Sequence, residues 1–179
     1  MMSKKKIKKE KLKINIFVKI ISKYHARVYM TTKSWNEIFP VLVECPEDHS
    51  LRKYGMIAYG NVEYCTSTKS FYGTDTFVRK CYRGKGFGIK LYKALIMAAI
   101  RLRKMHRKRG RPGKLYFSPH AAVGSSTSNS AWRVYNSLCQ RNFLKQKKSH
   151  RNPDRFELFY VQKVPKNFKP IYFEYDRAW

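Results

Sequence analysis

Between residues 70 and 105 the chain changes its period, and that change limits the folds open to it. Residues 70–82 are rich in Tyr, Val, Phe and Thr, the composition of a strand. From Phe87 onward, Phe87, Leu91, Leu95, Ala98, Leu102 and Met105 recur at helical spacing. Joining the two is Arg83-Gly84-Lys85-Gly86-Phe87-Gly88. A strand that turns through glycines directly into a long helix brings unbonded backbone N–H groups and the positive helix end to one point. That point suits a phosphate, and Arg83, Lys85 and Lys90 add charge to it. A P-loop is excluded because no Gly-Lys-Ser/Thr follows, and a dinucleotide fingerprint because the region about twenty residues on is basic rather than acidic.

Further patterns organise the rest. Even positions from Leu12 to Ile20 are apolar, while lysine or asparagine fills most odd ones, the signature of a half-buried first strand. Residues 22–46 are ambiguous, although Ser34-Trp35-Asn36-Glu37 has the form of a helix start capped by Ser34. Residues 54–65 and 70–82 read as an antiparallel pair, with turn composition at 66–69 between them. Residues 114–118 read as a strand and 124–128 as a loop. Ser128 or Asn129 can cap a helix running to about Arg141. Residues 143–148 and 155–163 flank Asn152-Pro153-Asp154 as a closing hairpin. The expected organisation is a basic flexible arm at 1–11, one folded domain at 12–163, and an aromatic C-terminal extension at 164–179 that packs on the domain or on a partner.

The segment from Thr76 to Gly88 resembles the signature of the GNAT superfamily of acyl-CoA-dependent N-acetyltransferases, Arg/Gln-x-x-Gly-x-Gly/Ala, with Val78 and Tyr82 at their usual places. The resemblance spans about residues 54–163. It implies an α/β fold: a single domain with a mostly antiparallel, splayed central sheet flanked by helices. It also implies acetyl-CoA as cofactor, its pyrophosphate on the amides of residues 84–88, with Val78, Arg83, Gly84, Lys85, Gly86, Phe87 and Gly88 in the binding set. The pantetheine arm would lie between strands ending near Tyr82 and Ser118. In such enzymes an amine attacks the thioester directly, so the site deprotonates an ammonium, stabilises an oxyanion with a strand N–H and protonates the leaving thiolate. The sequence departs from the family in its later helix, where Leu138 occupies the usual general-acid position. Tyr135, one turn earlier, is the substitute, although a packed aromatic explains it equally well. Candidates for the base are His120, which follows the strand at 114–118, and Asp75, with Glu63 as a rival; salt bridges would account for either carboxylate.

Coenzyme binding leaves most of the charge unexplained. Against 11 acidic residues stand 39 Lys and Arg, a net charge of +28, which repels itself unless a polyanion neutralises it. Seven cations, Arg101, Arg103, Lys104, Arg107, Lys108, Arg109 and Arg111, fall within eleven positions. Helix rise puts Met105 about 27 Å from Phe87, too far for this cluster to serve the same pyrophosphate. Nucleic acid or a ribonucleoprotein is the expected partner. Arg109-Gly110-Arg111-Pro112 matches the core of an AT-hook, and a helix-terminating turn with solvated arginines explains the same string. Other basic groups at 4–13, 141–151 and 163–169 interleave with Phe143, Phe168 and Tyr172, a mixture that suits RNA, single strands or duplex DNA.

Aromatics at 15% and hydrophobics at 43% indicate that most of the chain folds. The four cysteines show no CxxC and no histidine at zinc-ligand spacing, so no metal site is expected and buried thiols in a reducing compartment are. Lys13 and Lys19 interrupt the first apolar stretch, which argues against a signal peptide, and no run approaches the roughly 20 apolar residues of a membrane span. A cytoplasmic protein without membrane contact, associated with nucleoid or ribosome, is expected. The leading function is acetyl transfer to an amine held on nucleic acid: an aminoacyl-tRNA, a modified base, or a lysine of a ribosomal or nucleoid protein. The alternatives are a non-catalytic nucleic-acid-binding structural protein with a degenerate version of the fold, and a small-amine acetyltransferase with incidental charge.

Overall fold

The computed structural model describes residues 12–44, 55–66, 68–106, 115–119, 128–147, 158–166 and 168–174. The first strand, β1 (Asn15–Ser22), turns into β2 (His25–Thr31), and β3 (Met56–Cys65) and β4 (Ser70–Val78) continue the antiparallel run. Beyond β4 come β5 (Tyr116–Ser118), β6 (Leu144–Lys147), β7 (Leu158–Val161) and β8 (Ile171–Glu174). All eight join one sheet in the order β6-β7-β5-β4-β3-β2-β1-β8. Among the described strands, β4–β5 and β1–β8 are the pairs that run in parallel. This is the expected α/β arrangement: one mixed, mostly antiparallel sheet flanked by helices.

Three helices cover the sheet: α1 (Trp35–Glu44), α2 (Phe87–His106) and α3 (Asn129–Gln140). The stripe read for α2 holds, since Phe87, Leu91, Leu95, Ala98 and Leu102 are buried in one core with Val18, Ala26, Val28, Met30, Ile57 and Val62 of the strands. Met105 is the exception at 42% exposed, one residue before the helix ends. The opposite face carries a smaller core of Phe17, Tyr29, Met56 and Tyr59 beneath Ile38 and Leu42 of α1. Ser34 caps α1 as read: its N–H and hydroxyl both donate to one oxygen of Glu37, at 2.8 and 2.7 Å, the reciprocal half of a capping box. Lys33 Nζ holds the other oxygen at 3.0 Å. Backbone and side-chain bonds from Ser34 lead, with Lys33 assisting, in lowering the Glu37 carboxyl to about 2.

The first strand differs from its reading in phase and cover. It begins at Asn15, leaves Leu12 half exposed, and buries Phe17 on the α1 face as well as Val18 and Ile20 on the α2 face. A strand in the middle of a three-layer stack needs apolar groups on both faces. Of the cap candidates for α3, Ser128 is the one used, its Oγ accepting from Ala131 N–H at 3.2 Å. Residues 171–174 of the C-terminal extension pack on the domain: β8 pairs with β1, and Tyr172 donates its hydroxyl to Met97 O of α2 at 3.3 Å. The thiols are less buried than expected, Cys65 and Cys139 being half-buried and Cys81 exposed; Cys45 lies outside the described residues. Among the described residues no helix is long and apolar enough to cross a membrane.

Candidate active site

Strand β4 leaves the sheet at Val78, passes through one 3-10 turn (Lys80–Tyr82), and enters α2. Gly84 and Gly86 sit at φ +73° and +79°, a region that costs an L side chain roughly 1–2 kcal/mol. Nothing lies within 4 Å of where a Cβ would stand at either, so backbone conformation, and not crowding, calls for glycine there. Gly88 has another reason: its Cβ would meet Val134 Cγ2 of α3 at 3.2 Å, so this glycine lets the two helices approach. Lys90 N–H is the first donor of the helix ladder, bonding Gly86 O at 3.2 Å. The amides of residues 86–89 therefore have no acceptor within the helix. Arg83, Gly84, Lys85 and Gly86 are exposed around them. These donors and cations fit a diphosphate.

Among the described residues, the turn lies beyond the part of β4 that β5 pairs with. Strands β4 and β5 pair in parallel only at Phe71 with Phe117 and Tyr72 with Ser118, whereas β4 runs on to Val78. On its other side β4 stays paired with β3 and bulges on the way. Tyr59 faces Phe77 and Asn61 faces Thr74, so β4 spends one residue more than β3 over that interval. Asp75, within the bulge, adopts φ +47°, which aspartate tolerates better than most side chains. Arg79 N–H bonds Ile57 O of β3 at 2.9 Å, so by alternation the Val78 N–H and C=O point to the β5 side. There Val78 O accepts from Arg83 Nε at 2.9 Å, tying the turn to the strand end.

Two carboxylates lie along this stretch of sheet. Exposed Asp75 accepts from Asn61 Nδ2 at 3.0 Å, and Asn61 Oδ1 accepts from Arg27 Nε at 2.8 Å. Glu63 accepts from Tyr72 Oη and Thr74 Oγ1, both at 3.0 Å. Burial, then the bond to Glu63, pushes the Tyr72 phenol up to about 12. Arg27 and buried Asn61 carried no signal in the sequence, because their role depends on three strands lying side by side and on a bulge.

Tyr135 is 1% exposed and donates its hydroxyl to Ser118 O at 2.8 Å, at the point where β5 stops pairing with β4. Its ring lies among Tyr92, Trp132 and Phe159, and burial holds its phenol well above the ordinary value. Tyr92 Oη approaches Thr76 Oγ1 of the bulge at 3.5 Å. Leu138 is fully buried. His120 lies outside the described residues, as do Arg107, Lys108, Arg109 and Arg111. Arg101 and Lys104 are exposed on α2, while Arg103 is half-buried on a flank roughly 120° away. No group of three metal-ligating side chains occurs among the described residues.

No family model matches the chain. No curated protein matches it. Among solved structures it is similar to nourseothricin acetyltransferase, at 12% identity and a TM-score of 0.37, over 79% of this chain. The match spans 66% of that protein's length.

Proposed function

We propose that the chain is an acyl-CoA-dependent N-acyltransferase that moves an acetyl group from acetyl-CoA to an amine on a nucleic-acid-associated macromolecule. The observation that carries this reading is the coincidence of three features: a β4–β5 pair that opens after two residue pairs, a bulge in β4, and a glycine turn that starts α2 at the same end. The amides of residues 86–89, with Arg83 and Lys85, would hold the diphosphate. Acetyl-CoA supplies a thioester carbonyl already activated toward an amine.

This chain's own residues would do the rest. The Val78 N–H, turned toward the gap, is placed to donate to the acyl oxygen and so to favour the negative charge that develops there. Asp75 is the base best held in place, through Asn61 and Arg27, and it is open to an incoming ammonium. Its proton transfer needs hydrogen-bond reach to that amine, directly or through one water. Tyr135 has its proton committed to Ser118 O, so it serves to fix the end of β5 and hold the gap open. The charge of +28 supports an acceptor carried on nucleic acid. The commitment of Tyr135 and the burial of Leu138 favour a second reading, a nucleic-acid-binding protein that keeps the fold without turnover.

Calorimetry with acetyl-CoA and its unreactive desulfo analogue tests the coenzyme site. Binding should be present in the natural chain and lost in Gly86→Glu, which places a carboxylate among the amides. Gly86→Ala is the control, since it adds the same backbone strain at that position without negative charge. No heat from the natural, folded chain would end the enzymatic reading. Incubation with labelled acetyl-CoA and RNA, DNA or ribosomes then separates the two readings: label appears in one of these fractions only if turnover is retained.

A further inference from the structure

The helix that buries Leu91, Leu95, Ala98 and Leu102 presents a second stripe to solvent. Lys90, Lys93, Met97, Arg101 and Lys104 follow i, i+3, i+7, i+11 and i+14 and fall within about 80° of one another around the helix. They span about 21 Å along its axis. Four of the five are cations, and each of the first three lies against an aromatic ring from a different place in the fold. Lys90 Nζ is 5.0 Å from the Phe87 ring centroid, Lys93 Nζ 3.9 Å from Phe143, and the Arg101 guanidinium 5.8 Å from Tyr172. Lys163 Nζ reaches the same Phe143 ring at 5.6 Å.

Lys93 is the crowded member. Partial burial, and then the charges of Arg141 and Lys163, hold its ammonium below the ordinary lysine value. Among the described residues, none of Lys90, Lys93, Arg101, Lys104, Arg141 or Lys163 is paired with a carboxylate. Cations that exist only to keep a surface wet spread apart, because crowding them raises the free energy of the folded chain. Here the rings restrict where they can go, and the C-terminal segment brings Tyr172 to the helix to do so. A row of cations held in place against rings is what a phosphate backbone needs, whatever its base sequence.

We infer that the solvent face of α2, with Arg141 and Lys163 beside it, is a nucleic-acid track that grips successive phosphates. The inference deepens the reading of the acceptor given above and rests on it in making nucleic acid the partner. Coenzyme binding is not required for it. The rings already lie against cations, so the track reads backbone and not bases, and its preference among sequences is small.

The test uses the full chain and short labelled oligonucleotides, single- and double-stranded, of RNA and of DNA, at several salt concentrations. Replacing Lys90, Lys93, Arg101 and Lys104 together by glutamine should weaken binding of the preferred form by more than about tenfold at physiological salt. It should also reduce the slope of log affinity against log salt by about 3. Lysine in place of Arg101 and arginine in place of the three lysines should restore both. A control that changes Lys23, Lys33, Lys69 and Arg133 to glutamine removes the same charge elsewhere and should leave most of the affinity. Comparison of the four oligonucleotides identifies the form of nucleic acid. Equal losses in the track and control variants would overturn the inference, as would failure of the natural chain to bind any oligonucleotide or retention only on anionic phospholipid vesicles. Acetyl-CoA affinity, measured in parallel on a variant that changes Lys93, Arg101 and Lys104 and leaves Lys90 beside the glycine turn, should be that of the natural chain. If the natural chain gives no heat with acetyl-CoA yet binds oligonucleotide through α2, the acyl-transfer reading fails and the track stands.

Discussion

The sheet has two halves that solve opposite problems. From β1 to β3 the strands pair over nearly their whole length, with helices on both faces and alternate residues in two cores. From β4 to β5 the pairing stops after two residue pairs, and β4 carries a bulge and an aspartate at positive φ. The first half spends its backbone donors on neighbouring strands. In the second, Val78 N–H is directed toward the β5 side beyond the last described β4–β5 pair. Regular structure supplies stability, and in the acyl-transfer reading a localised interruption of it supplies a place to bind.

The largest effect should come from the regular half. Leu95 is fully buried, and its Cδ1 lies 3.6 and 3.4 Å from where side chains at Gly60 and Gly73 would begin. Leu95→Ala should cost about 2–5 kcal/mol, read by denaturant melts. A loss under 1 kcal/mol would mean α2 is not packed on these strands as described. Asp75→Asn should spare stability, within about 0.5 kcal/mol for an exposed residue. It should lower kcat at least about 100-fold on the acceptor that takes label, with acetyl-CoA affinity kept. Unchanged turnover would move the base to Glu63 or elsewhere.

Tyr135→Phe sharpens the comparison at the seam. It removes the donor to buried Ser118 O and should cost about 1–3 kcal/mol in denaturant melts. If Tyr135 positions β5 and is not an acid, kcat should fall without a change in its dependence on pH, whereas loss of an alkaline limb would assign it the acid's role. The smallest effect belongs to the surface cap of α1. The Glu37 carboxyl is lowered from 4.5 to about 2, so its contribution is present above pH 4.5 and is lost as pH falls toward 2. Thermal melts across that window should lose part of their pH dependence in Glu37→Gln and change little at neutral pH.

Much of the regular half was legible in residue spacing, and the interruption was legible only in part. The α2 stripe, the β3–β4 pair and the caps at Ser34 and Ser128 follow from periods and local chemistry that neighbours in the chain decide. Strand β2 escaped because Tyr29 is covered on the α1 face while Ala26, Val28 and Met30 are covered on the other, which erases alternation. Strand β8 escaped because four residues with exposed ends carry too short a pattern. Glycines marked the turn, while the approach of α3 to Gly88, a second reason for glycine there, became visible only in the fold. Nothing in a string of residues announces a bulge, so the Arg27–Asn61–Asp75 relay became visible only with three strands in register.

The pairing of β8 with β1 closes one margin of the sheet with the last described strand. Were residues 171–174 removed, β1 would present a bare row of amides and carbonyls along a flat edge, the kind of surface onto which another chain adds itself. The same cut would take Tyr172 off Met97 and free Arg101 from its ring. A shortened chain would therefore tend toward self-association while its helix α2 loses the ring that steadies Arg101, two defects with a single origin.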